Sequence, residues 1–371
     1  MVSRSGNSSQ PADRILVICF AILLVFGLAA LMSASAPAGF IQYHDSYYFL
    51  KRQIFLGLIP GAIIFLILAK VHYQLWKKFV YAVYGSAIVL LTAIFIPGVG
   101  ITVNGHHSWI KIAGFLMQPS EFAKMALIIM TAYLLTAKSY DWNDWKQSLL
   151  PVLLPLVPAF LLVVAQPDIG TLSIFVVIVF GMLWLARIPP RYLAALSGLG
   201  VVAFAALVIA APYRSDRLTV FLHPELDPQG VGYHVNQAFL AVGSGGFWGF
   251  GYNHSRQKFQ YLPEVDTDSI FAIIAEENGF IIAGGLVVLI ALIGWRGLRA
   301  ARGAKDEFGY LLAGGIVVWL VWQSFLNIGA MVGALPLTGV PLPFVSHGGS
   351  ALVSVLAAAG ILVNVSKDSS S

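Results

Sequence analysis

Ten blocks of mostly apolar residues, separated by shorter polar stretches, set the tightest limit on what this chain can become. A helix that crosses a bilayer needs about 20 apolar residues, and backbone groups in hydrocarbon are satisfied only inside a helix or a closed barrel. The blocks are Ile15 to Leu31, Ile54 to Leu68, Phe79 to Ile96, Phe122 to Leu135, Leu149 to Ala165, Ile169 to Ala186, Tyr192 to Ala211, Ile270 to Ile293, Leu311 to Val332 and Ala351 to Val365. Several are short of a full span, so the helices are expected to run past these edges. The fifth and sixth are divided only by Gln166-Pro167-Asp168, where a proline after a polar residue favours a tight turn over one kinked helix. Charged residues make up 11% of the chain, against roughly a quarter in an ordinary soluble domain. The expected fold is therefore an all-α polytopic membrane protein with ten transmembrane helices. Residues 1–14 and 367–371 form short tails, and 15–366 form the membrane domain.

Orientation follows from the lysines and arginines between the blocks. With the N-terminus in the cytoplasm, fourteen fall on the inner side, from Arg4 and Arg14 to Lys367, and seven on the outer side, among them Lys51, Arg52 and Lys111. That asymmetry favours both termini inside. The first block is too long for a signal-peptide core and lacks a clear cleavage site, so it is read as a retained span. The net charge of +5 comes with no basic stripe or nucleic-acid motif, and the inner lysines and arginines account for it. A single cysteine, Cys19, leaves neither a disulfide framework nor a thiolate metal site.

On this topology the long polar segment 212–267, between the seventh and eighth helices, faces outward, as does the loop from Gly98 to Met117. Every even-numbered helix then starts at the outer surface. Four polar motifs stand at such starts: Gln118-Pro119-Ser120-Glu121, Gln166-Pro167-Asp168, Asp266-Thr267-Asp268 and Ser346-His347-Gly348-Gly349-Ser350. Unpaired N–H groups and positive dipole ends meeting on one face would receive an anionic group such as the phosphates of a lipid carrier.

Each chemistry-bearing residue has a plain structural alternative. Asp268 is either the cap of the eighth helix or an outward carboxylate that takes a proton from a substrate hydroxyl. Glu264 and Asp266 are neighbouring acids that would raise its pKa or join it around a cation. Glu276 and Glu277 lie about two helical turns further on, where ionisable groups are paired or functional. Glu121 and Lys124 are spaced to meet on one helix; the alternative has Lys124, with Arg214, Arg217 and Lys258, holding a diphosphate. Asp168 is read first as the cap of the sixth helix, and Trp109 as an interfacial anchor ahead of a sugar platform. Gln237 sits in the polar run Gly232 to Gln237. Gln323 and Asn327 are helix-packing groups unless a cavity passes them.

Taken in order, these motifs resemble the FtsW/RodA/SpoVE family, also called SEDS proteins. The resemblance runs through Gln118-Pro119-Ser120-Glu121-Phe122-Ala123-Lys124, Gln166-Pro167-Asp168-Ile169-Gly170-Thr171, Pro228-Gln229-Gly230-Val231-Gly232-Tyr233-His234 and Ala241-Val242-Gly243-Ser244-Gly245-Gly246. It continues through Tyr261-Leu262-Pro263-Glu264, Thr267-Asp268 and Asn327-Ile328-Gly329 to the run from Leu335 to Ser350. It implies a bacterial inner-membrane glycosyltransferase that polymerises lipid II into peptidoglycan beside a class B penicillin-binding protein, within the division or elongation machinery. The family's catalytic aspartate falls on Asp268. Undecaprenyl diphosphate would leave, with Lys124, Glu121, Arg214, Arg217, Lys258, Gln237, Ser346, Gly348, Gly349 and Ser350 as candidates around substrate and diphosphate. Glu264, Asp266, Glu276, Glu277 and Asp168 would be supporting acids. Mg²⁺ or Mn²⁺ are candidate cations, and no organic cofactor is expected. A flippase for lipid-linked precursors and a non-catalytic scaffold are the other readings. The chain departs from the family pattern at Asp266, Ser269, His347 and Ser108, where the family usually carries His, Phe, Tyr and Arg, and at Asn278.

Overall fold

The computed structural model describes residues 12–368, apart from 104–105, 113–114, 139 and 210–218. Its long helices are α1 (Arg14–Tyr43), α2 (Tyr48–Leu68), α3 (Leu75–Ala93), α4 (Pro119–Thr136), α5 (Leu149–Ala165) and α6 (Ile169–Leu185). They continue as α7 (Pro190–Ile209), α8 (Val231–Ser244), α9 (Ile270–Arg302), α10 (Glu307–Met331) and α11 (Gly349–Ser366). Over the described residues each apolar block lies in one of these helices to within three residues at its ends, and α8 is an additional helix inside the long polar segment. By length and hydropathy six qualify as spans among the described residues: α1, α2, α3, α9, α10 and α11. Helices α5, α6 and α7 supply shorter apolar stretches.

Capping explains several boundaries. Asp13 accepts from the Leu16 N–H at the start of α1, Asp168 from Thr171 at the start of α6, and Asp306 from Gly309 at the start of α10. The division at Gln166-Pro167-Asp168 is thus a turn between two helices, as expected. Pro155 sits in a short 3₁₀ turn, Leu154–Leu156, within α5, because proline removes a backbone donor there.

Burial identifies the centre. In the apolar windows of α10 and α11, 72% and 78% of residues are buried, against 17% and 22% for α2 and α3. Helix α4 adds an unbroken buried run from Ala126 to Ala132, so α4, α10 and α11 form the middle and α2 and α3 the rim.

The expectation of an all-α chain is corrected in the first outward loop. Strands β1 (Gly100–Val103), β2 (His106–Ile112) and β3 (Phe115–Met117) form an antiparallel sheet in the order β1-β2-β3. The segment alternates in the manner of a half-buried strand, with Ser108 and Ile110 covered and Lys111 exposed. The strands are short enough to be lost among turns in the sequence.

Helix α9 is broken at Gly279, whose φ of 71° and ψ of −177° are non-helical. The segment before α9 fills the break: the N–H groups of Phe250 and Gly251 donate to the Glu276 and Glu277 carbonyls at 3.1 and 2.8 Å, and Phe280 N–H donates to Gly246 O at 2.8 Å. A side chain at Gly279 would meet Gly249 N at 2.4 Å and Phe247 O at 2.5 Å. Gly279→Ala is therefore expected to lower the thermal unfolding midpoint in detergent, with backbone strain of about 1–3 kcal/mol adding to the clash. Gly285→Ala, which meets nothing within 4 Å, should leave the midpoint unchanged.

Candidate active site

The four polar helix starts meet. A cavity of about 290 Å³ is lined by Gln118 before α4, Asp168 and Ile169 at α6, Glu264, Thr267 and Asp268 before α9, and His347, Gly348, Ser350 and Ala351 at α11. Ser108 and Trp109 of β2, Val231 and His234 of α8, and Leu337 to Gly339 and Pro341 close it. Direct contacts join the motifs. Gln118 N–H donates to Ser350 Oγ at 3.3 Å, and its amide reaches Asp168 at 3.4 Å.

Asp268 precedes α9 and is half-buried. Its Oδ1 is covered and has no hydrogen-bond partner among the described residues, an arrangement that is costly for a buried carboxylate unless a ligand completes it. Three consecutive carbonyls are held by other elements. Asp266 O accepts from His347 N–H at 2.7 Å, Thr267 O from Ser346 Oγ, and Asp268 O from Asn327 Nδ2 at 2.7 Å. Asn327 also donates to Val340 O at 2.8 Å, and Gln323 to Pro341 O at 2.9 Å. These two α10 amides therefore fix the backbone on both sides of the cavity.

Burial, reinforced by Glu264 and then Asp266, pushes the Asp268 carboxyl up to about 7. Burial also raises Asp266. Desolvation of the half-buried His347 ring, with Arg52 nearby, holds it down to about 4, so that it is neutral near pH 7. Its Nδ1 lies 3.4 Å from Asp266 Oδ2, a long polar contact between two of the positions at which this chain departs from the family pattern. A third, Ser269, lies 2.6 Å through Oγ from His234 Nε2.

The remaining candidates separate into those at the cavity and those engaged elsewhere. Asp168 lines it while capping α6 through Thr171 N–H and Oγ1, so its cap and cavity readings coexist. Gly348 and Ser350 line it, Gly349 opens α11 between them, and Ser346 lies behind as a backbone pin. Gln237 is half-buried on α8, one turn past His234, and is absent from the lining. Trp109 faces the cavity, beyond the anchor role the sequence favoured. Arg214 and Arg217 lie outside the described residues. Among the described lining residues there is no lysine or arginine.

Lys124 and Lys258 do not reach the cavity. Lys124 Nζ donates to Glu121 Oε1 at 2.7 Å and Gln323 Oε1 at 2.8 Å, over the Trp319 ring at 5.0 Å. Lys258 Nζ pairs with Glu277 at 2.8 Å, and both meet Ser33 of α1. Glu276 accepts from Ser255 Oγ and from the Arg256 N–H at 3.0 Å. Lys258, Glu276 and Glu277 tie the segment before α9 to α9 and α1, and Lys124 ties α4 to α10. Sequence reading passed over Gln53, named His234 only inside a longer run, and met Ser108 only as a departure from the family pattern. A lone glutamine at a block edge has no periodic signature.

A model of the FtsW/RodA/SpoVE cell cycle protein family matches residues 13–371. The chain belongs to this family. It is 40% identical over 355 residues to the stage V sporulation protein E of Bacillus subtilis, covering 96% of this chain and 97% of that protein. It is 36% identical to a probable peptidoglycan glycosyltransferase FtsW of Geobacter, covering 95% and 96%. Its fold matches a chain solved in a study of polymerisation and crosslinking by a peptidoglycan synthase complex, with a TM-score of 0.79 and 26% identity over 96% of this chain and 98% of that one.

Two outcomes test this geometry. Lys258→Ala leaves Glu277 buried without its cation and should destabilise the fold by about 3–5 kcal/mol, read as a lower unfolding midpoint, with KM for substrate unchanged in the molecules that fold. Glu264→Gln removes the larger of the two charges that raise Asp268. A base must be deprotonated to act, so if Asp268 is the base, activity would rise with pH through its pKa. The acid limb of the pH–rate profile should therefore move to lower pH in Glu264→Gln, and less at high salt because Glu264 is exposed.

Proposed function

We propose that this protein is a peptidoglycan glycosyltransferase that polymerises lipid II at the outer face of the bacterial inner membrane, with Asp268 as general base. The observation that carries this reading is the covered, unpartnered Asp268 Oδ1 at a cavity formed by four helix starts. Asp268 removes the proton from the 4-hydroxyl of the acceptor N-acetylglucosamine. The oxygen attacks the anomeric carbon of the donor N-acetylmuramic acid, the bond to undecaprenyl diphosphate breaks, and the configuration inverts. A carboxyl raised to about 7 is well matched to that proton transfer. The backbone N–H groups and dipole ends of α4, α6 and α11, with Ser350, face the charge that develops on the leaving diphosphate.

Among the described residues no three His, Cys, Asp or Glu side chains are grouped to hold a metal ion. Mg²⁺ or Mn²⁺ would enter with the diphosphate, and no step here is assigned to it. The topology that fits is ten spans with both termini cytoplasmic and segment 212–267 outside. Supporting it, the ion pairs Arg296–Asp13, Lys77–Asp306 and Lys305–Asp368 tie together helix ends and turns assigned to the inner side. The partner is a class B penicillin-binding protein of the division or elongation machinery. A translocation path past Lys124, Glu276 and Glu277 is disfavoured because each is closed in its own buried contacts.

Purified protein with a class B partner and lipid II should make glycan strands. Asp268→Asn should lose them by at least about a hundredfold, within the usual range for a general base, while retaining its unfolding midpoint. Strands made equally by the folded Asn variant would refute the assignment.

A further inference from the structure

The loop that closes the cavity beside Asp268 is held from behind by α2. Residues Gln53–Leu58 of that helix form a π-helical turn, a geometry that inserts an extra residue and often marks a functional position. Gln53 is the first residue of the turn and is 1% exposed. Its Nε2 donates to Ser346 O at 3.1 Å and its Oε1 accepts from Gly348 N–H at 2.9 Å. A carbonyl requires a donor and an N–H requires an acceptor, so the amide orientation is set by its neighbours. One side chain thus brackets His347 from both sides.

The neighbouring turn strengthens the grip. Phe49, four residues before Gln53 and so on the same helix face, meets the His347 ring edge-on, with centroids 5.2 Å apart at 80°. Further along the π turn, α2 lies directly against α11: a side chain at Gly57 would meet Gly349 Cα at 3.4 Å, and one at Gly349 would meet Leu56 O at 3.2 Å. The bracketed segment in turn holds the aspartate. Ser346 Oγ donates to Thr267 O, and His347 N–H to Asp266 O at 2.7 Å. Two hydrogen-bonded steps therefore lead from α2 to Thr267, the residue before Asp268.

We propose that Gln53 is a positioning residue for the glycosyl transfer, setting the Ser346–Gly348 segment and through it the placement and enclosure of Asp268. It touches neither the cavity nor a reacting atom. Its removal loosens the segment that covers Asp268, so the carboxylate sits less accurately and in more water. Accuracy governs kcat, since a misplacement of about 1 Å costs on the order of a hundredfold. Enclosure governs the acid limb of the pH profile. The inference rests on the reading of Asp268 as base.

The test compares the full-length wild type with Gln53→Met and Gln53→Glu, each purified with a class B partner. Unfolding midpoint, KM and kcat for lipid II, and the pH–rate profile are measured. Methionine keeps the shape and makes neither bond; glutamate keeps the acceptor for Gly348 and loses the donor for Ser346. The expected result is kcat lower by on the order of tenfold or more in the methionine variant, with an acid limb at lower pH, KM little changed, and the glutamate variant intermediate. A folded methionine variant with wild-type kcat and an unmoved acid limb overturns the proposal. Should methionine prevent folding, a folded glutamate variant with wild-type kcat and profile overturns it equally. Strands made equally by wild type and a folded Asp268→Asn protein would instead defeat the reading of Asp268.

Discussion

The grip on three consecutive carbonyls, Asp266, Thr267 and Asp268, is the constraint on which the rest of this site depends. The stretch before α9 is irregular backbone packed at the end of a helical bundle, where a polar group without a partner costs several kcal/mol in the least hydrated case. It cannot supply its own donors, so three other side chains or N–H groups do so: His347, Ser346 and Asn327. Each comes from the connection into α11 or from α10, two of the most buried helices. Asp268 is consequently fixed to two of the most buried helices, although it lies in a connecting segment.

Charge is distributed in an uneven way around Asp268. The described lining carries Asp168, Glu264 and Asp268 and no lysine or arginine, while Lys124 and Lys258 are enclosed with Glu121 and Glu277. Burial, and then Glu264, raise the Asp268 carboxyl. On the proposed reading, charge developing on a leaving diphosphate is left to helix ends and to whatever the substrate or the partner brings. Buried pairs such as Lys258–Glu277 contribute little net stability but are costly to break, and here they bind the segment before α9 to its break at Gly279.

Much of this was legible from the residues. Block lengths located the helices, and the polar starts of α4, α6, α9 and α11 pointed to one face before any contact was known. The Asp168 cap and the Glu121–Lys124 pair are local, spaced three residues apart, and so readable. What was hidden depends on contacts between distant segments. Lys258 meets Ser33 across 225 residues, and Gln53 meets Ser346 across 293; nothing in either neighbourhood announces its partner. The sheet was missed because its strands are short and interrupted by turns. The departures at Asp266 and His347 looked like independent changes around Asp268, yet the two residues touch.

The central claim is that the lipid-linked sugar reacts in this one outward cavity. In a Cys19→Ser background, Thr338→Cys places a thiol on the lining, and a membrane-impermeant maleimide can be offered to either face of oriented vesicles with and without lipid II. The account predicts labelling from the outer face alone, slowed by lipid II in proportion to its occupancy. Labelling from the cytoplasmic face, or outer labelling indifferent to saturating lipid II, would contradict it.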